Sequence, residues 1–179
     1  MTGTLHDYAI LYGSDKGKAH KYCNFYEARI GTPKSIIEFG VLNGASLSMW
    51  HARYPKAVVI GLDITDIKAP DGCYTFKIDA SQENWITAIK PKFDLIIDDA
   101  SHITTEQIDS FNLWWPLVNK GGHYIIEDIH TMHYDAYNPG KIDVKAWVKS
   151  TAAHYGVKYE YYSRVPGNES DSMTLIFYK

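Results

Sequence analysis

The chain has 179 residues, a formal net charge of −3 and 45% hydrophobic residues, the makeup of one ordinary domain able to bury a core. Its 18 Lys and Arg residues are scattered, which excludes a basic nucleic-acid-binding face. No apolar run approaches the roughly 20 residues needed to span a bilayer, and no basic stretch followed by an apolar one opens the chain, so a cytoplasmic protein without a secretory signal is expected. Cys23 and Cys73 lack a metal-ligand spacing and read as reduced thiols.

In chain order, residues 5–12 and 20–30 read as short helices, with a turn over Gly13-Ser14-Asp15-Lys16-Gly17 between them. Strands follow at 35–40, 57–64 and 73–79, with a helix over 45–54 after the first. Ser81 is placed to cap a helix that starts near Glu83 and ends before Pro91. A fourth strand covers 93–98, and a helix from 104 to 120 follows, closed by Gly121 and Gly122 and kinked or cut short at Pro116. The fifth strand is 123–128; a loop through Asn138-Pro139-Gly140 leads to a helix over 142–154. Residues 157–165 and 172–179 read as two strands joined at Pro166-Gly167-Asn168, a connection short enough to force antiparallel pairing. Repeated βα units predict a parallel sheet covered on both faces. The expectation is an α/β, Rossmann-like, seven-stranded, mostly parallel sheet ending in an antiparallel hairpin, within a single domain over 1–179.

Two strands end in unusual chemistry. FDLIIDDASH (93–102) and GGHYIIEDIH (121–130) each run from apolar residues into acids and a histidine. A βαβ unit brings Asp98, Asp99, His102, Glu127 and Asp128 to the carboxyl edge of the sheet, where open α/β sheets bind ligands. Carboxylates crowded there repel one another unless a cation holds them, which predicts a metal-dependent site. Oxygen donors suit a hard ion such as Mg²⁺, and neither cysteine is near in sequence. The first strand runs into an E-x-G-x-x-x-G loop carrying Glu38, Gly40 and Gly44, whose glycines admit positive φ and a close ligand. Asp63 ends the second strand where an acid accepts from ribose hydroxyls, and Asp79 ends the third.

These features resemble the class I S-adenosylmethionine (SAM) methyltransferases. The Asp99-Ala100-Ser101-His102 and Glu127-Asp128 motifs are similar to those of the metal-dependent macrolide-sugar O-methyltransferases, the mycinamicin and tylosin group. The segment Leu11 to Gly17, followed by His20 and Tyr22, also resembles that group, and implies that residues 1–33 close over the site. The resemblance implies SAM and Mg²⁺ as cofactors. It makes Asp99, Glu127 and Asp128 metal ligands and His102 the general base. Glu38, Gly40, Gly44, Asp63, Asp79 and Asp98 then serve the donor, with Lys16 a candidate partner for its carboxylate. The macrolide enzyme carries a sizeable N-terminal domain not found in these 179 residues, so acceptor identity and homo-oligomeric assembly do not carry over.

The expected reaction is O-methylation of a vicinal diol, on a sugar in preference to a catechol; such a small-molecule or glycan acceptor presents two adjacent hydroxyls to the ion. An imidazole with a pKa near neutrality suits proton removal. His130, His133, Tyr134 and Tyr137, in the loop after Glu127-Asp128, are candidates to face the acceptor, whereas Trp114 and Trp115 read as core. Asp98 and Asp99 also admit a plain reading as helix N-cap residues, and His102 one as a further metal ligand. A nicotinamide-dependent oxidoreductase is the rival class, but Gly40-x-x-x-Gly44 lacks the G-x-G-x-x-G order and that reading gives the acids no task.

Overall fold

Neighbouring residues on the central strands are apolar on both sides, which requires a sheet with a core on each face. A computed structural model describes residues 3–82, 87–88, 90–167 and 172–179 and shows that arrangement. Its elements are helices α1 (Leu5–Tyr12), α2 (Asp15–Lys18) and α3 (Cys23–Glu27), then β1 (Ser35–Phe39), α4 (Ala45–Arg53), β2 (Val58–Asp63) and β3 (Cys73–Lys77). There follow β4 (Phe93–Asp98), α5 (Thr104–Trp114), β5 (Val118–Ile126), α6 (Val144–Tyr155), β6 (Lys158–Ser163) and β7 (Met173–Tyr178). The strand order is β3-β2-β1-β4-β5-β7-β6. The strands β1 to β5 are mutually parallel, and β7 lies antiparallel to both β5 and β6, the sheet expected from the strand–helix alternation.

Alternate strand residues feed opposite cores. Ile37, Phe39, Ile96, Tyr124, Ile126 and Phe177 join Phe111, Trp114 and Val148 from α5 and α6. Ile36, Leu95, Ile97, Ile125 and Ile176 join Leu5, Ala9, Tyr26, Leu47 and Trp50 from α1, α3 and α4. Trp114 and Trp115 are core residues, as read from the sequence. The Trp114 indole N–H donates to the Ala80 carbonyl at 2.8 Å, so this large ring leaves no orphaned donor.

Local chemistry explains most helix ends. Thr4 and Asp7 form a reciprocal capping box at the start of α1, and Gly13, with φ 76°, closes it. Asp143 caps α6 through the Ala146 N–H, and Gly156 ends it in the left-handed region. Three expectations need correction. The predicted turn over residues 13–17 contains α2, and the helix expected over 20–30 is confined to Cys23–Glu27. The helix expected to reach residue 120 stops at Trp114: Pro116 sits in a 3₁₀ turn, Trp115–Leu117, where it cannot donate to a continuing helix. Val118, Asn119 and Lys120 open β5, where Val118 pairs with Phe93, so Gly121 and Gly122 lie inside a strand at an irregular register. Residues 83–86 and 89 of the helix expected to start near Glu83, and the turn residue Asn168, lie outside the described residues, while 87–88 are helical.

Gly40 fixes how two strand ends meet. It has φ 80°, and a Cβ there would stand 2.2 Å from the Asp99 carbonyl oxygen. The glycine admits the backbone of the following acidic loop, not only a ligand. Gly121 has the same φ of 80° and nothing within 4 Å. Gly40→Ala should therefore destabilise the fold by about 2 kcal/mol or more, against about 1 kcal/mol for Gly121→Ala, compared by equilibrium denaturation.

Candidate active site

The carboxyl ends of β1, β2 and β4, and the turn after β5, open into one cavity of about 620 Å³, within the usual size range for small-molecule sites. Gly40, Asp63, Asp79, Asp98, Asp99, His102 and Asp128 all line it, with Phe39, Leu62, Ile78 and Ala80 supplying apolar wall. Seven of the eleven residues assigned from sequence to the metal, the base or the donor thus share one cavity. Glu38, Gly44, Lys16 and Glu127 do not line it.

Each strand end holds its acid differently. The Asp63 carboxylate accepts from the Val41 and Leu42 N–H groups at 2.9 and 3.3 Å, and from the Thr65 N–H and hydroxyl at 2.8 and 2.7 Å. Four donors fill about four lone-pair positions, and although burial opposes them, they hold its pKa below the ordinary value. A ribose would have to displace one of these donors, and the rotatable Thr65 hydroxyl is the one not fixed by the backbone. Asp79 Oδ1 accepts from the Ser81 N–H and hydroxyl at 3.0 and 2.7 Å, so it also serves a local turn. Asp98 is 1% exposed; its Oδ2 has no hydrogen-bond partner among the described residues. Burial, only partly offset by the Ala100 N–H, pushes its carboxyl up to about 8. Neither Asp98 nor Asp99 caps a helix, since α5 begins at Thr104 with Ile103 before it.

Beside this groove, Asp99, His102 and Asp128 each present a ligand atom within 4.8 Å of the others. His102 Nε2 stands 4.0 Å from Asp99 Oδ1 and 3.7 Å from Asp128 Oδ2. Both loops adopt costly backbone to achieve this: His102 has φ 59° and Asp128 φ 52°, in the sparse left-handed region. Hydrogen bonds hold the two loops there. The Thr131 hydroxyl donates to the His102 carbonyl at 2.9 Å, Gln107 Nε2 donates to the Glu127 carbonyl at 3.1 Å, and the Glu127 N–H donates to the Asp98 carbonyl at 2.9 Å.

The expected convergence of Asp99, Glu127 and Asp128 is therefore only partly what the structure shows. Glu127 is 1% exposed and turns away from the cavity, because Lys16 Nζ stands 3.0 Å from its Oε2. Lys16 is fully buried, pairs closely with Asp99 Oδ2, and stands 3.0 Å from Glu38 Oε1. This corrects the reading of Lys16 as partner of a donor carboxylate: three carboxylates of the chain surround its ammonium. Burial alone would lower its pKa, but Asp99, Glu127 and Glu38 together lift it well above the ordinary value. Burial raises Glu38, Asp99 and, most strongly, Glu127, and Lys16 offsets this only in part. Glu38 belongs to this buried cluster, its Oε2 accepting from the Trp50 indole at 2.9 Å. Gly44 starts α4 against the Pro70 ring.

The N-terminal segment also reaches Asp128. The Tyr22 hydroxyl donates to Asp128 Oδ1 at 2.7 Å, and His20 Nδ1 lies 3.6 Å from the same oxygen. The neighbourhood of His20, Asp15 foremost, raises its pKa against the effect of burial. Sequence reading found Tyr22 and His20 only as part of a resemblance, and gave Gln107 and Thr65 no role; nothing in their spacing marks them. His130 Nδ1 accepts from the Met173 N–H at 3.4 Å and lies 3.9 Å from Asp128 Oδ1. Tyr134 and Tyr137, candidates to face the acceptor, are exposed and do not line the cavity.

The residues present fit a hard divalent cation. Asp99 and Asp128 each aim one oxygen at a shared space, and the carboxyl groups around the single buried ammonium outnumber it. They sit beside a groove lined by Gly40, Asp63 and Asp79, at the carboxyl edge of a sheet with class I methyltransferase topology.

Comparison with known proteins agrees. The chain is 31% identical over 153 residues to L-olivosyl-oleandolide 3-O-methyltransferase of Streptomyces antibioticus, covering 76% of this chain and 40% of that protein. It is 32% identical over 146 residues to 8-demethyl-8-alpha-L-rhamnosyl tetracenomycin-C 2'-O-methyltransferase of Streptomyces olivaceus, covering 72% and 38%. Among solved structures, MycE methyltransferase from the mycinamycin biosynthetic pathway, in complex with Mg and SAH, superposes with a TM-score of 0.78 at 24% identity, covering 98% of this chain and 55% of that one. No protein-family model matches the chain. The fold is that of the class I methyltransferases, and the chain resembles the macrolide-sugar O-methyltransferases. It spans about two fifths of the length of the curated relatives it matches.

The buried Asp98 gives a pH test. Its unfolded carboxyl titrates near 3.8 and its folded one near 8. A raised folded value means the proton stabilises the fold: the contribution is full below 3.8, is lost as pH rises toward about 8, and is level beyond. In chelator-treated protein, Asp98→Asn, whose amide imitates the protonated acid, should melt higher than the parent at pH 8–9 and level with it near pH 3.5, as read by thermal denaturation.

Proposed function

We propose that the chain is the catalytic unit of a SAM- and Mg²⁺-dependent O-methyltransferase that methylates one hydroxyl of a vicinal diol on a sugar, as part of a glycosylated natural product or polysaccharide. The observation carrying this reading is the continuity of one cavity from Gly40, Asp63 and Asp79 to Asp99, His102 and Asp128. Donor and acceptor would meet where two carboxylates and an imidazole converge. The curated relatives, named for olivosyl and rhamnosyl substrates, favour a sugar over a catechol.

In this reading the donor occupies the groove between Asp63 and Asp79, with its base against Leu62, Ile78 and Ala80. Asp99 and Asp128 would hold the cation, with Glu127 turned to Lys16 behind them. When bound, the cation lowers the hydroxyl pKa and orients the diol, and SAM supplies the methyl group. His102 Nε2 takes the hydroxyl proton as the acceptor oxygen forms its bond to the methyl carbon and the bond from that carbon to sulfur breaks. The strained loops around His102 and Asp128 hold reacting groups in place before substrate arrives. Among the described residues no helix is long and apolar enough to cross a membrane, which is compatible with a cytoplasmic site of action.

Two measurements test this. Chelator-stripped protein should consume SAM with glycoside acceptors only when Mg²⁺ is restored; turnover that survives thorough chelation rejects the metal role, and turnover on catechols alone rejects the sugar. His102→Ala should lower kcat by about 10²–10⁴ while Mn²⁺ affinity, read by electron paramagnetic resonance (EPR), stays near the parent's. A collapse of Mn²⁺ affinity instead would make His102 a ligand.

A further inference from the structure

The acids of this site share a pattern. Asp99 gives Oδ2 to Lys16 and turns Oδ1 toward His102. Asp128 gives Oδ1 to the Tyr22 hydroxyl and turns Oδ2 toward the same imidazole nitrogen. Glu127 gives Oε2 to Lys16, and its Oε1 is buried without a hydrogen bond among the described residues. In every case a donor from the short stretch between Lys16 and Tyr22 engages one oxygen of the carboxylate. We propose that Lys16 and Tyr22 are positioning residues that restrict each acid to one oxygen, so that the site selects a small octahedral ion such as Mg²⁺ or Mn²⁺ and rejects Ca²⁺. The inference rests on the metal reading above.

The physical basis is the difference between the ions. Mg²⁺ keeps several waters and takes one or two carboxylates in near-ideal octahedral geometry; Ca²⁺ takes six to eight oxygens and accepts bidentate carboxylates. A donor on one carboxylate oxygen takes one of its two lone pairs and fixes the orientation of the group, which disfavours closing a bidentate chelate. At Asp99 the bond is a buried ion pair; at Asp128 it is a 2.7 Å hydrogen bond to a charged acceptor, stronger than a neutral one. Neither holder is free to yield. Lys16 is fully buried and is also engaged by Glu38, and the Tyr22 ring is fully buried between His20, Tyr26 and Tyr162.

Tyr22→Phe is the informative variant, because it keeps the packed ring and removes only the hydroxyl. In chelator-stripped full chain, Mn²⁺ binding is read by EPR and Ca²⁺ by competition. The parent should bind Mn²⁺ with Ca²⁺ a poor competitor. In Tyr22→Phe, Mn²⁺ affinity should fall about tenfold or more, and Ca²⁺ should compete markedly better relative to Mn²⁺, since Asp128 recovers its second oxygen. General loosening of the fold weakens both ions without reversing their order, so the ratio is the readout. Lys16→Gln, which keeps a donor but not the charge, should shift the ratio the same way through Asp99; if it does not fold, Tyr22→Phe decides alone. An unchanged Ca²⁺/Mn²⁺ ratio in a folded Tyr22→Phe overturns the proposal while leaving the metal reading intact. A parent that binds no Mn²⁺ overturns the metal reading, and this inference with it.

Discussion

One ammonium group among three carboxylates organises this site. Lys16 arrives from a four-residue helix near the N-terminus and meets Glu38 from β1, Asp99 from the loop after β4, and Glu127 from the turn after β5. All except Asp99 are essentially withdrawn from solvent. Taking ions out of water costs several kcal/mol each, and mutual attraction repays this only when the geometry is good. The cluster ties the N-terminal segment to the sheet and determines which carboxylates face the cavity.

That division gives the acids two tasks. Glu38 and Glu127 belong to a dry layer behind the cavity wall, whereas Asp99 and Asp128 keep one oxygen each on its inner face. A single lysine meets more carboxyl groups than it can neutralise, and a divalent cation would offset those left over. The backbone bears part of the cost: His102 and Asp128 both sit at positive φ, held by Thr131, Tyr22 and the turn that begins at Asp128. Strain of this kind persists only where surrounding bonds over-determine it, and such positions cluster at functional sites.

The donor groove follows from more general rules. Parallel strands bring their carboxyl ends to one edge, and the reversal of strand order between β1 and β4 opens a crevice there. Gly40 sits at that crevice because the loop carrying Asp99 passes too close for any side chain. A superposition at a TM-score of 0.78 with 24% identity shows how few residues this architecture dictates.

Much of the fold was legible in the sequence, because strand alternation, turn residues and apolar runs are local signals. Trp114 and Trp115, the acidic strand ends, the seven strands and the antiparallel hairpin could all be read from them. Errors fell where two local signals conflict, as at Val118, whose apolar run continues from the preceding helix but pairs with Phe93. The acids themselves were named from sequence, since their placement at strand ends is a matter of chain order. Their division into a buried pair and a cavity-facing pair was not, because it depends on Lys16 and Tyr22. Lys16 lies 83 residues before Asp99, and Tyr22 lies 106 before Asp128. Contacts so distant carry no periodicity or spacing, and only the packing of the N-terminal segment against the sheet decides which oxygen each acid keeps.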